Sequence, residues 1–222
     1  MCGLTGIFNY YKTPLPQETL KKMTRMIKHR GPDGEGFWRD GFIGLGHRRL
    51  AIQDLTSAAH QPMVSNDGRY VIIYNGEIYN FKELKTHLER KGYQFRSASD
   101  TEVVLNAWSC WGKEALLKFN GMFAFAIWER KKNTLVMARD RYGIKPLYYW
   151  DDGKKLVFGS EIKSILQHPD YQVEVSKEAL NEYFTFQNVF TDRTLFQGIR
   201  MLPSGAFTEY RLEEGRKNFK KY

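Results

Sequence analysis

Four short runs of strand-forming residues follow one another closely in the second half of the chain, and their spacing constrains the fold most. The runs are residues 122–129, 134–139, 147–150 and 155–159. Two of the connections contain turn-forming pairs, Lys132-Asn133 and Asp152-Gly153. Such pairs between strand-like runs favour hairpins, so we predict antiparallel pairing, with the first three runs forming a meander.

Helical patterns occur in blocks between groups of strands. Other strands are predicted at residues 3–10, 36–39, 42–52 and 70–74, the last ending at Asn75-Gly76. Helices are predicted at residues 15–29, 81–91, 113–118, 161–167 and 176–184, and one at 100–111 that Ser99 or Asp100 caps. Helices inserted in blocks among many strands indicate an α+β fold.

The composition limits the classes of function. Of the 222 residues, 42% are hydrophobic, which is enough for the core of one large domain. The net charge is +9, but no helix-turn-helix, zinc-finger spacing or RNA-binding aromatic motif accompanies it, so we expect no nucleic-acid partner. No stretch approaches the ~20 apolar residues of a membrane-spanning helix, and no signal peptide is recognisable, so we expect no membrane association.

Cysteine and histidine usage points to a reducing compartment and to no metal. The two cysteines, Cys2 and Cys110, are too few for a disulfide framework, so we expect a cytoplasmic protein. The five histidines show no i,i+4 pair and no metal-ligand spacing. We therefore expect no metal site in this chain.

Cys2 directly follows the initiator methionine. If Met1 is removed, Cys2 carries both a thiol and a free α-amine, which are a nucleophile and a general base. An α-amine titrates near ~7.7–8.0, so part of it is unprotonated at neutral pH and able to accept the thiol proton. The position alone also fits a small apolar residue at the head of a strand.

Several longer motifs occur in a fixed order along the chain. They are Met1-Cys2-Gly3-Leu4-Thr5-Gly6-Ile7-Phe8, His29-Arg30-Gly31-Pro32-Asp33-Gly34, Gly46-His47-Arg48-Arg49-Leu50-Ala51-Ile52, Tyr74-Asn75-Gly76-Glu77-Ile78-Tyr79-Asn80, Ser99-Asp100-Thr101-Glu102, Phe119-Asn120-Gly121-Met122-Phe123-Ala124-Phe125, Ala138-Arg139-Asp140-Arg141-Tyr142-Gly143-Ile144-Lys145-Pro146-Leu147-Tyr148-Tyr149 and Phe158-Gly159-Ser160-Glu161. Together they resemble the class II glutamine amidotransferases, in particular the glutaminase domain of glutamine-dependent asparagine synthetases. The resemblance is dense from residue 2 to about 166 and looser to about 210.

The resemblance implies a fold and a catalytic set. The fold is that of the N-terminal nucleophile hydrolases, a four-layer αββα sandwich of two antiparallel sheets flanked by helices. Cys2 is implied to be the nucleophile, with its own α-amine as the base. The side-chain amide of Asn75 and the backbone N–H of Gly76 are implied to form the oxyanion hole, where one donor is typically worth ~2.7–4 kcal/mol.

The resemblance also implies how the substrate is held. Arg49 binds the α-carboxylate, and Glu77 and Asp100 bind the α-ammonium group. One cation for a carboxylate and two anions for an ammonium match the polarity of a free amino acid. Arg48 lies beside Arg49, and because adjacent residues of a strand face opposite sides, we expect only one of them to enter the site. The alignment with the family's motif implies that this residue is Arg49.

Some of these residues also have simpler interpretations. Asn75-Gly76 by itself is typical of a type I′ turn, and Asp100 by itself is typical of a helix cap. Arg49 and Glu77 by themselves fit surface charges. Four charged residues of the motifs have no assigned chemical step, and we interpret them as scaffold: Arg139, Asp140, Lys145 and Glu161.

The implied reaction is hydrolysis of the glutamine side-chain amide to glutamate and ammonia through a thioester on Cys2. The ammonia feeds an ATP-dependent amidation, asparagine synthesis or a related one, in a synthetase domain present in cis or in trans. No phosphate-binding glycine- and serine-rich loop occurs here, so we expect no cofactor for this domain and ATP and Mg only for the synthetase domain. We predict a glutaminase domain over residues 1–210 and the start of a linker over 211–222, and we include a homodimer among the expected assemblies.

Three alternatives stay open. The acceptor of the ammonia is a sugar or a peptide carboxylate instead of aspartate. Alternatively, Cys2 pairs with a histidine such as His47, as in a cysteine peptidase. In the third alternative, the domain is a catalytically silent scaffold or a partner-binding domain.

Overall fold

The computed structural model describes residues 1–216 and 219–222. Its helices are α1 (Gln17–Met26), α2 (Phe81–Arg90), α3 (Asp100–Trp111), α4 (Ala115–Lys118), α5 (Ile162–Ile165) and α6 (Lys177–Phe186). Its strands are β1 (Gly3–Asn9), β2 (Gly34–Asp40), β3 (Ile43–Arg49), β4 (Met63–Val64), β5 (Tyr70–Ile78), β6 (Gly121–Glu129), β7 (Thr134–Arg139), β8 (Tyr148–Asp151), β9 (Lys155–Gly159), β10 (Ile199–Met201), β11 (Ala206–Arg211), β12 (Gly215–Arg216) and β13 (Lys220–Lys221).

The strands form two antiparallel sheets. The order in the first sheet is β10-β8-β9-β1-β3-β2, and the order in the second is β12-β11-β7-β6-β5-β4, with β13 also paired to β11. The register of β1 and β3 aligns Gly3 with Arg48, and that of β5 and β6 aligns Asn75 with Ala124. The predicted antiparallel pairing is confirmed.

Helices cover the outer face of each sheet. Helices α1 and α5 pack on β1, β3 and β9 of the first sheet, while α3 packs on β5 of the second sheet and against α2. The inner faces of the sheets meet where β1 and β3 contact β5. The layer order is therefore helix, sheet, sheet, helix, and the predicted α+β sandwich of two antiparallel sheets is confirmed.

Apolar side chains fill the three spaces between these layers, and β5 shows how one strand serves two of them. Ile72 and Tyr74 pack under α2 and α3, whereas Val71 and Ile73 are buried between the two sheets. This alternation follows from the two-residue period of a strand. It decides which residues beyond Ile73 can face the first sheet.

The predicted meander is wrong at its third strand. β6 and β7 form a hairpin, but β8 lies in the first sheet, between β9 and β10. The carboxylate of Asp140 accepts N–H groups from Phe123 and Lys145, and the guanidinium of Arg139 donates to the carbonyl oxygens of Lys145 and Leu202. These contacts hold the chain in its crossing between the sheets, so both charged residues act as scaffold, as interpreted.

The strand ending at Asn75-Gly76 and the turn suggested by that pair are also wrong. β5 continues through both residues to Ile78, and Gly76 pairs with Phe123 on β6. A Cβ at residue 76 would lie 2.5 Å from the carbonyl oxygen of Met122 and 2.7 Å from Cβ of Phe123. The close approach of β6 therefore requires glycine in the middle of the strand.

Other boundaries differ by a few residues. α1 is shorter than residues 15–29, because Pro16 precedes it and a separate 3-10 turn at Lys28–Arg30 follows it. β4 has two residues and no prediction corresponds to it. α3 spans Asp100–Trp111 as predicted, and Ser99 caps it by accepting the N–H of Thr101.

The C-terminal segment pairs with the second sheet. β12 and β13 both pair with β11. The predicted linker start, residues 211–222, includes Lys217 and Asn218, which lie outside the described residues, and the domain boundary stays a prediction. None of the helices in residues 1–216 and 219–222 is long and apolar enough to cross a membrane.

Candidate active site

The period of two along three strands brings the predicted site residues to one end of the space between the sheets. Leu4 on β1, Leu45 on β3 and Ile73 on β5 are buried in that space. Further steps of two residues along the same strands place four predicted residues on the same faces. These are Cys2, Arg49, Asn75 and Glu77.

A cavity of about 190 Å³ lies at this end of the molecule. All six predicted site residues line it, namely Cys2, Arg49, Asn75, Gly76, Glu77 and Asp100. The cavity is smaller than the ~300–1,000 Å³ of pockets for drug-sized ligands. Its size suits a ligand such as a single amino acid.

The thiol of Cys2 is half-buried beside the backbone of Leu50. The Leu50 N–H donates to Sγ over 3.4 Å, and Sγ lies 3.6 Å from the Leu50 carbonyl oxygen. Burial raises the pKa of the Cys2 thiol, and the contact with Leu50 opposes the increase without cancelling it. The thiol is therefore protonated at neutral pH, and its use as a nucleophile requires a base.

The backbone of Cys2 is held from the opposite side. Its carbonyl oxygen accepts a 2.9 Å hydrogen bond from Nε of Arg30, whose Nη1 lies 3.0 Å from Oε1 of Glu161. Although burial opposes it, hydrogen bonds from Arg30 and His29 lower the pKa of Glu161 to about 2. Glu161 thus acts as scaffold, as interpreted, because it holds the arginine that fixes the backbone of Cys2.

The side chain of Asn75 offers an unused donor to the cavity. The residue is 2% exposed, and its Nδ2 has no hydrogen-bond partner in the described part of the chain. A buried donor without an acceptor is costly, about 1–3 kcal/mol, and is rare in folded proteins. An acceptor atom that enters the cavity would satisfy it.

The backbone N–H of Gly76 faces the same way. On one edge of β5, the Tyr74 N–H donates to Oε1 of Gln61 over 2.6 Å, and the Ile78 N–H donates to Oδ2 of Asp100 over 3.0 Å. The N–H groups of alternate residues of a strand point to the same edge, so the Gly76 N–H lies between these two donors and points to the cavity side. Asn75 and Gly76 together present two N–H donors, as an oxyanion hole requires.

Arg49 and Arg48 point in opposite directions, as the strand period predicts. Arg49 lines the cavity, and its guanidinium donates to the carbonyl oxygens of Asp54 and Thr56. Arg48 donates instead to the carbonyl oxygen of Gly31 over 3.0 Å and to Oε2 of Glu35 over 2.8 Å. Arg49 is therefore the member of the pair that can meet a ligand in the cavity.

Asp100 is the first residue of α3, and it faces the cavity because Ser99 takes the role of cap. Its Oδ2 accepts 2.7 Å and 3.0 Å hydrogen bonds from the Tyr74 hydroxyl and the Ile78 N–H. Burial raises the pKa of Asp100, and the Tyr74 hydrogen bond opposes the increase. The negative charge of Glu77, which is exposed at the cavity wall, raises it further. The neighbouring carboxylates of Glu77 and Asp100 thus line the same cavity as Arg49, and Asp54 also lines it.

Lys145 also lines the cavity, so its interpretation as scaffold is incomplete. The residue is 5% exposed, and its Nζ lies 3.1 Å from Sδ of Met1. Burial and the charge of Arg30 lower the pKa of Lys145. A lysine between Ile144 and Pro146 was the available signal, because lysine is rarely buried unless it is paired.

The loop between β3 and β4, residues 50–62, is a second part of the cavity wall that was not predicted from the sequence. Gln61 is buried in the cavity wall, where its Nε2 donates to Oγ1 of Thr101 and its Oε1 accepts the Tyr74 N–H. Asp54 binds the N–H and the hydroxyl of Thr56. The spacing Asp54-x-Thr56 is typical of an Asx turn, and this signal could have identified the loop.

The structure does not place His47 at the thiol of Cys2, because Sγ contacts the backbone of Leu50 and His47 does not line the cavity. His47 is fully buried, and its Nε2 lies 3.1 Å from the carbonyl oxygen of Tyr74, which can only accept. Burial lowers the pKa of His47 to about 3, so the ring is neutral with its proton on Nε2. No group of three or more His, Cys, Asp or Glu side chains among the described residues could hold a metal ion.

The cavity therefore combines a thiol, two N–H donors, the cations Arg49 and Lys145, and the carboxylates of Asp54, Glu77 and Asp100. Comparison with known proteins agrees with this chemistry. A family model described as "Glutamine amidotransferase domain" matches residues 1–222. The chain belongs to the glutamine amidotransferase domain family.

Curated relatives of this amidotransferase domain are longer proteins. Glutamine-hydrolyzing asparagine synthetase 1 of Bacillus subtilis is 43% identical, over 100% of this chain and 35% of its own length. Glutamine-hydrolyzing asparagine synthetase 3 of the same organism is 40% identical, over 94% of this chain and 34% of its own length. Amidase chry2 of Gibberella zeae is 38% identical, over 75% of this chain and 26% of its own length. The chain spans about a third of the length of the synthetases that it matches.

The fold agrees with that of a solved amidotransferase. The glutamine phosphoribosylpyrophosphate amidotransferase from B. subtilis, in complex with ADP and GMP, superimposes with a TM-score of 0.72. The superposition covers 99% of this chain and 49% of that one, at 20% sequence identity. At this identity the likeness concerns the fold, and it agrees with the sandwich of two antiparallel sheets described above.

Proposed function

We propose that this amidotransferase domain hydrolyses the side-chain amide of glutamine to glutamate and ammonia. The observation that supports the proposal most is the unpartnered Nδ2 of Asn75 in the wall of the cavity that also contains the thiol of Cys2. A buried amide donor beside a nucleophile is what a carbonyl oxygen needs when it becomes an oxyanion. The names of the B. subtilis relatives include glutamine hydrolysis.

The first step is attack by sulfur, and it needs a base. Removal of Met1, which is 55% exposed, frees the α-amine of Cys2, and this amine accepts the thiol proton. The thiolate then forms a bond to Cδ of glutamine, and the carbonyl oxygen becomes an oxyanion. Nδ2 of Asn75 and the N–H of Gly76 donate to that oxyanion and lower the barrier by about 2.7–4 kcal/mol per donor.

The second half of the reaction releases both products. The carbon–nitrogen bond breaks as the α-ammonium group of Cys2 gives its proton to the departing nitrogen, and ammonia leaves. The amine then accepts a proton from water as the water oxygen attacks the γ-glutamyl thioester. The carbon–sulfur bond breaks, the sulfur regains a proton, and glutamate leaves the cavity.

The charges of the cavity orient the substrate. The guanidinium of Arg49 retains N–H groups beyond those that donate to the backbone, and they bind the α-carboxylate of glutamine. Glu77 and Asp100 bind the α-ammonium group from the other side. The amide of glutamine is thereby directed to Cys2 and to the two N–H donors, which line the same cavity.

Ammonia from this domain feeds an ATP-dependent amidation in a synthetase domain, in cis or in trans. The support is that the B. subtilis relatives are named asparagine synthetases and are about three times as long as this chain. Aspartate is the proposed acceptor, and ATP and Mg²⁺ belong to that step rather than to the glutaminase cavity. A reduced thiol at Cys2 suits the cytoplasm. The homodimer stays a prediction.

A labelling experiment tests the glutaminase proposal. The full chain is exposed to a diazoketone analogue of glutamine, its intact mass is measured before and after, and the adduct is located by peptide mapping. We expect loss of Met1 and one adduct on Cys2, prevented by an excess of L-glutamine. Cys110, which is also half-buried, serves as the internal control and should stay unmodified.

Two further results decide between the alternatives. Cys2→Ala should lose the adduct and glutamine hydrolysis together. Selective blocking of the α-amine with the thiol left free should stop hydrolysis if the amine is the base, whereas a pair of Cys2 with His47 would survive it. A retained Met1 without any adduct would favour a silent scaffold.

A further inference from the structure

Asp54 lies in the β3–β4 loop and binds two segments that are distant in sequence. Its Oδ1 accepts the N–H of Thr56 over 2.8 Å and the Thr56 hydroxyl over 2.7 Å. Its Oδ2 accepts the N–H of Ala98 over 2.8 Å. These bonds lower the pKa of Asp54, so the buried carboxylate is charged at neutral pH and three donors surround it.

The first of these contacts shapes the binding site of the Arg49 guanidinium. The turn that Asp54 closes with Thr56 presents the carbonyl oxygens of both residues to Arg49. Nη1 of Arg49 donates to the Thr56 carbonyl oxygen over 2.8 Å, and Nη2 donates to the carbonyl oxygen of Asp54. The direction of the guanidinium therefore depends on the turn.

The second contact reaches the segment that leads into α3. Ala98 is two residues before Asp100, and Ser99 between them caps α3. A weaker link runs parallel to it, because Oε1 of Gln53 accepts the Asp100 N–H over 3.4 Å. One carboxylate thus connects the loop that holds Arg49 to the segment that holds Asp100.

The ligand explains why such a connection matters. The α-carboxylate and the α-ammonium group of an amino acid are attached to one carbon, so their separation is fixed. A site that binds both must keep its cation and its anion at a matching distance, within about 0.5 Å. Arg49 lies on β3 and Asp100 lies on α3, so no single element fixes the distance between them. The β3–β4 loop connects the two.

We propose that Asp54 is a positioning residue that sets the distance between Arg49 and Asp100, and thereby the affinity of the cavity for an α-amino acid. The proposal rests on the proposed glutaminase function. Asp54 acts through its hydrogen bonds to Thr56 and Ala98 and does not touch the reacting atoms. It affects the binding of the amino-acid end of the substrate and leaves the attack by Cys2 unchanged.

Two substitutions at Asp54 distinguish the effect of the position of its carboxylate oxygens from the effect of its charge. Asp54→Asn keeps the shape, but one amide oxygen cannot serve donors on both sides, so an N–H group faces another N–H group. Asp54→Glu keeps the charge, but the longer side chain cannot make both contacts at the same positions. We expect both variants of the full chain to raise KM for glutamine roughly tenfold or more, with kcat within about twofold of the wild-type value.

Asp67→Asn is the matched control. Asp67 also closes a local turn, since its Oδ1 accepts the Ser65 hydroxyl over 2.6 Å and the Arg69 N–H over 3.0 Å, but it lies in the β4–β5 connection and does not line the cavity. We expect unchanged KM for this variant. Thermal unfolding of all three variants shows whether they are folded at the assay temperature.

Amide hydrogen exchange gives a readout that does not need activity. We expect the Ala98 amide to exchange faster in Asp54→Asn than in the wild-type protein and in Asp67→Asn. A wild-type KM in both Asp54 variants, or a fall of kcat without a change of KM, would overturn the proposal. Wild-type protein that hydrolyses no glutamine would overturn the proposed function instead, and Ala98 exchange would then decide whether Asp54 joins the two segments.

Discussion

The hydroxyl of Tyr74 donates a 2.7 Å hydrogen bond to Oδ2 of Asp100 in the buried wall of the cavity. Tyr74 immediately precedes Asn75 on β5, and Asp100 begins α3. The contact therefore joins the strand with the proposed oxyanion groups to the helix with a proposed ammonium-binding carboxylate. It also favours the charged form of a carboxylate that burial would otherwise tend to protonate.

Tyr74→Phe should change the pH dependence of glutamine binding. Burial raises the pKa of Asp100, and without the Tyr74 hydrogen bond that pKa should rise further. Asp100 binds an ammonium group only when it is ionised, so KM rises as the pH falls through its pKa. In the variant this rise should begin at higher pH, and KM measured from pH 4 to 8 checks it.

The control for that experiment is Tyr79→Phe, which removes a hydroxyl from an exposed tyrosine just after β5. Its KM profile should coincide with that of the wild-type protein. If the profile of Tyr74→Phe coincides with both, the Tyr74 hydroxyl does not support the ionised form of Asp100.

Asn75→Ala should reduce kcat for glutamine hydrolysis by about 10²–10³-fold, with little change in KM. The reason is that Nδ2 of Asn75 is unpartnered before the reaction and gains its acceptor when the oxyanion forms. Steady-state kinetics with an assay for ammonia measures both constants. Asn106→Ala, which removes a donor to the Gln94 carbonyl oxygen away from the cavity, should keep the wild-type kcat.

Substitution of Arg49 should affect glutamine binding, whereas substitution of Arg48 should affect stability. Arg49→Lys should raise KM for glutamine about tenfold or more, because an ammonium group cannot replace the paired N–H groups of guanidinium toward a carboxylate. Arg48→Lys should leave KM unchanged and lower the melting temperature by a few degrees, since it weakens contacts to Gly31 and Glu35. Kinetics and thermal unfolding of both variants measure the difference. Equal effects of the two substitutions on KM would contradict the assignment.

Gly76→Ala should destabilise the second sheet by about 1–3 kcal/mol and reduce kcat. The added Cβ would lie within 2.8 Å of the backbone of Phe123, so β5 would have to move away from β6 and take its N–H groups with it. Chemical denaturation with parallel kinetics measures both effects. Gly34→Ala is the control, because the nearest atom to its new Cβ is the Cβ of Arg49 at 3.7 Å, and it should be tolerated.

Local signals predicted much of the architecture. The turn pairs Lys132-Asn133 and Asp152-Gly153 correctly indicated the β6–β7 and β8–β9 hairpins. The crossing of residues 140–147 from one sheet to the other was missed, because it depends on hydrogen bonds of Asp140 to Phe123 and Lys145 rather than on local preference. Asn75-Gly76 was a misleading signal of the same kind, since the packing of β6 overrides the turn preference of the pair.

In the candidate site, too, local patterns predicted some features, whereas others depend on contacts between distant segments. The ordered motifs identified six residues that all line one cavity, and the strand period correctly separated Arg49 from Arg48. Lys145 and the β3–β4 loop were not recognised as parts of the cavity. The position of Lys145 depends on its backbone contacts with Arg139 and with Asp140, which also binds β6, and that of the loop depends on the contact of Asp54 with Ala98. No local pattern specifies these contacts.

The sequence by itself determined the chemistry of this protein, because residue types and their period along each strand decide which groups are present and which face they occupy. The tertiary structure alone decided their mutual geometry. The unpartnered Nδ2 of Asn75, the increased pKa of Asp100 and the link through Asp54 all arise where elements distant in sequence are buried against each other. Burial and hydrogen bonding between such elements depend on distances of a few ångströms in space, and spacing along the chain does not encode them.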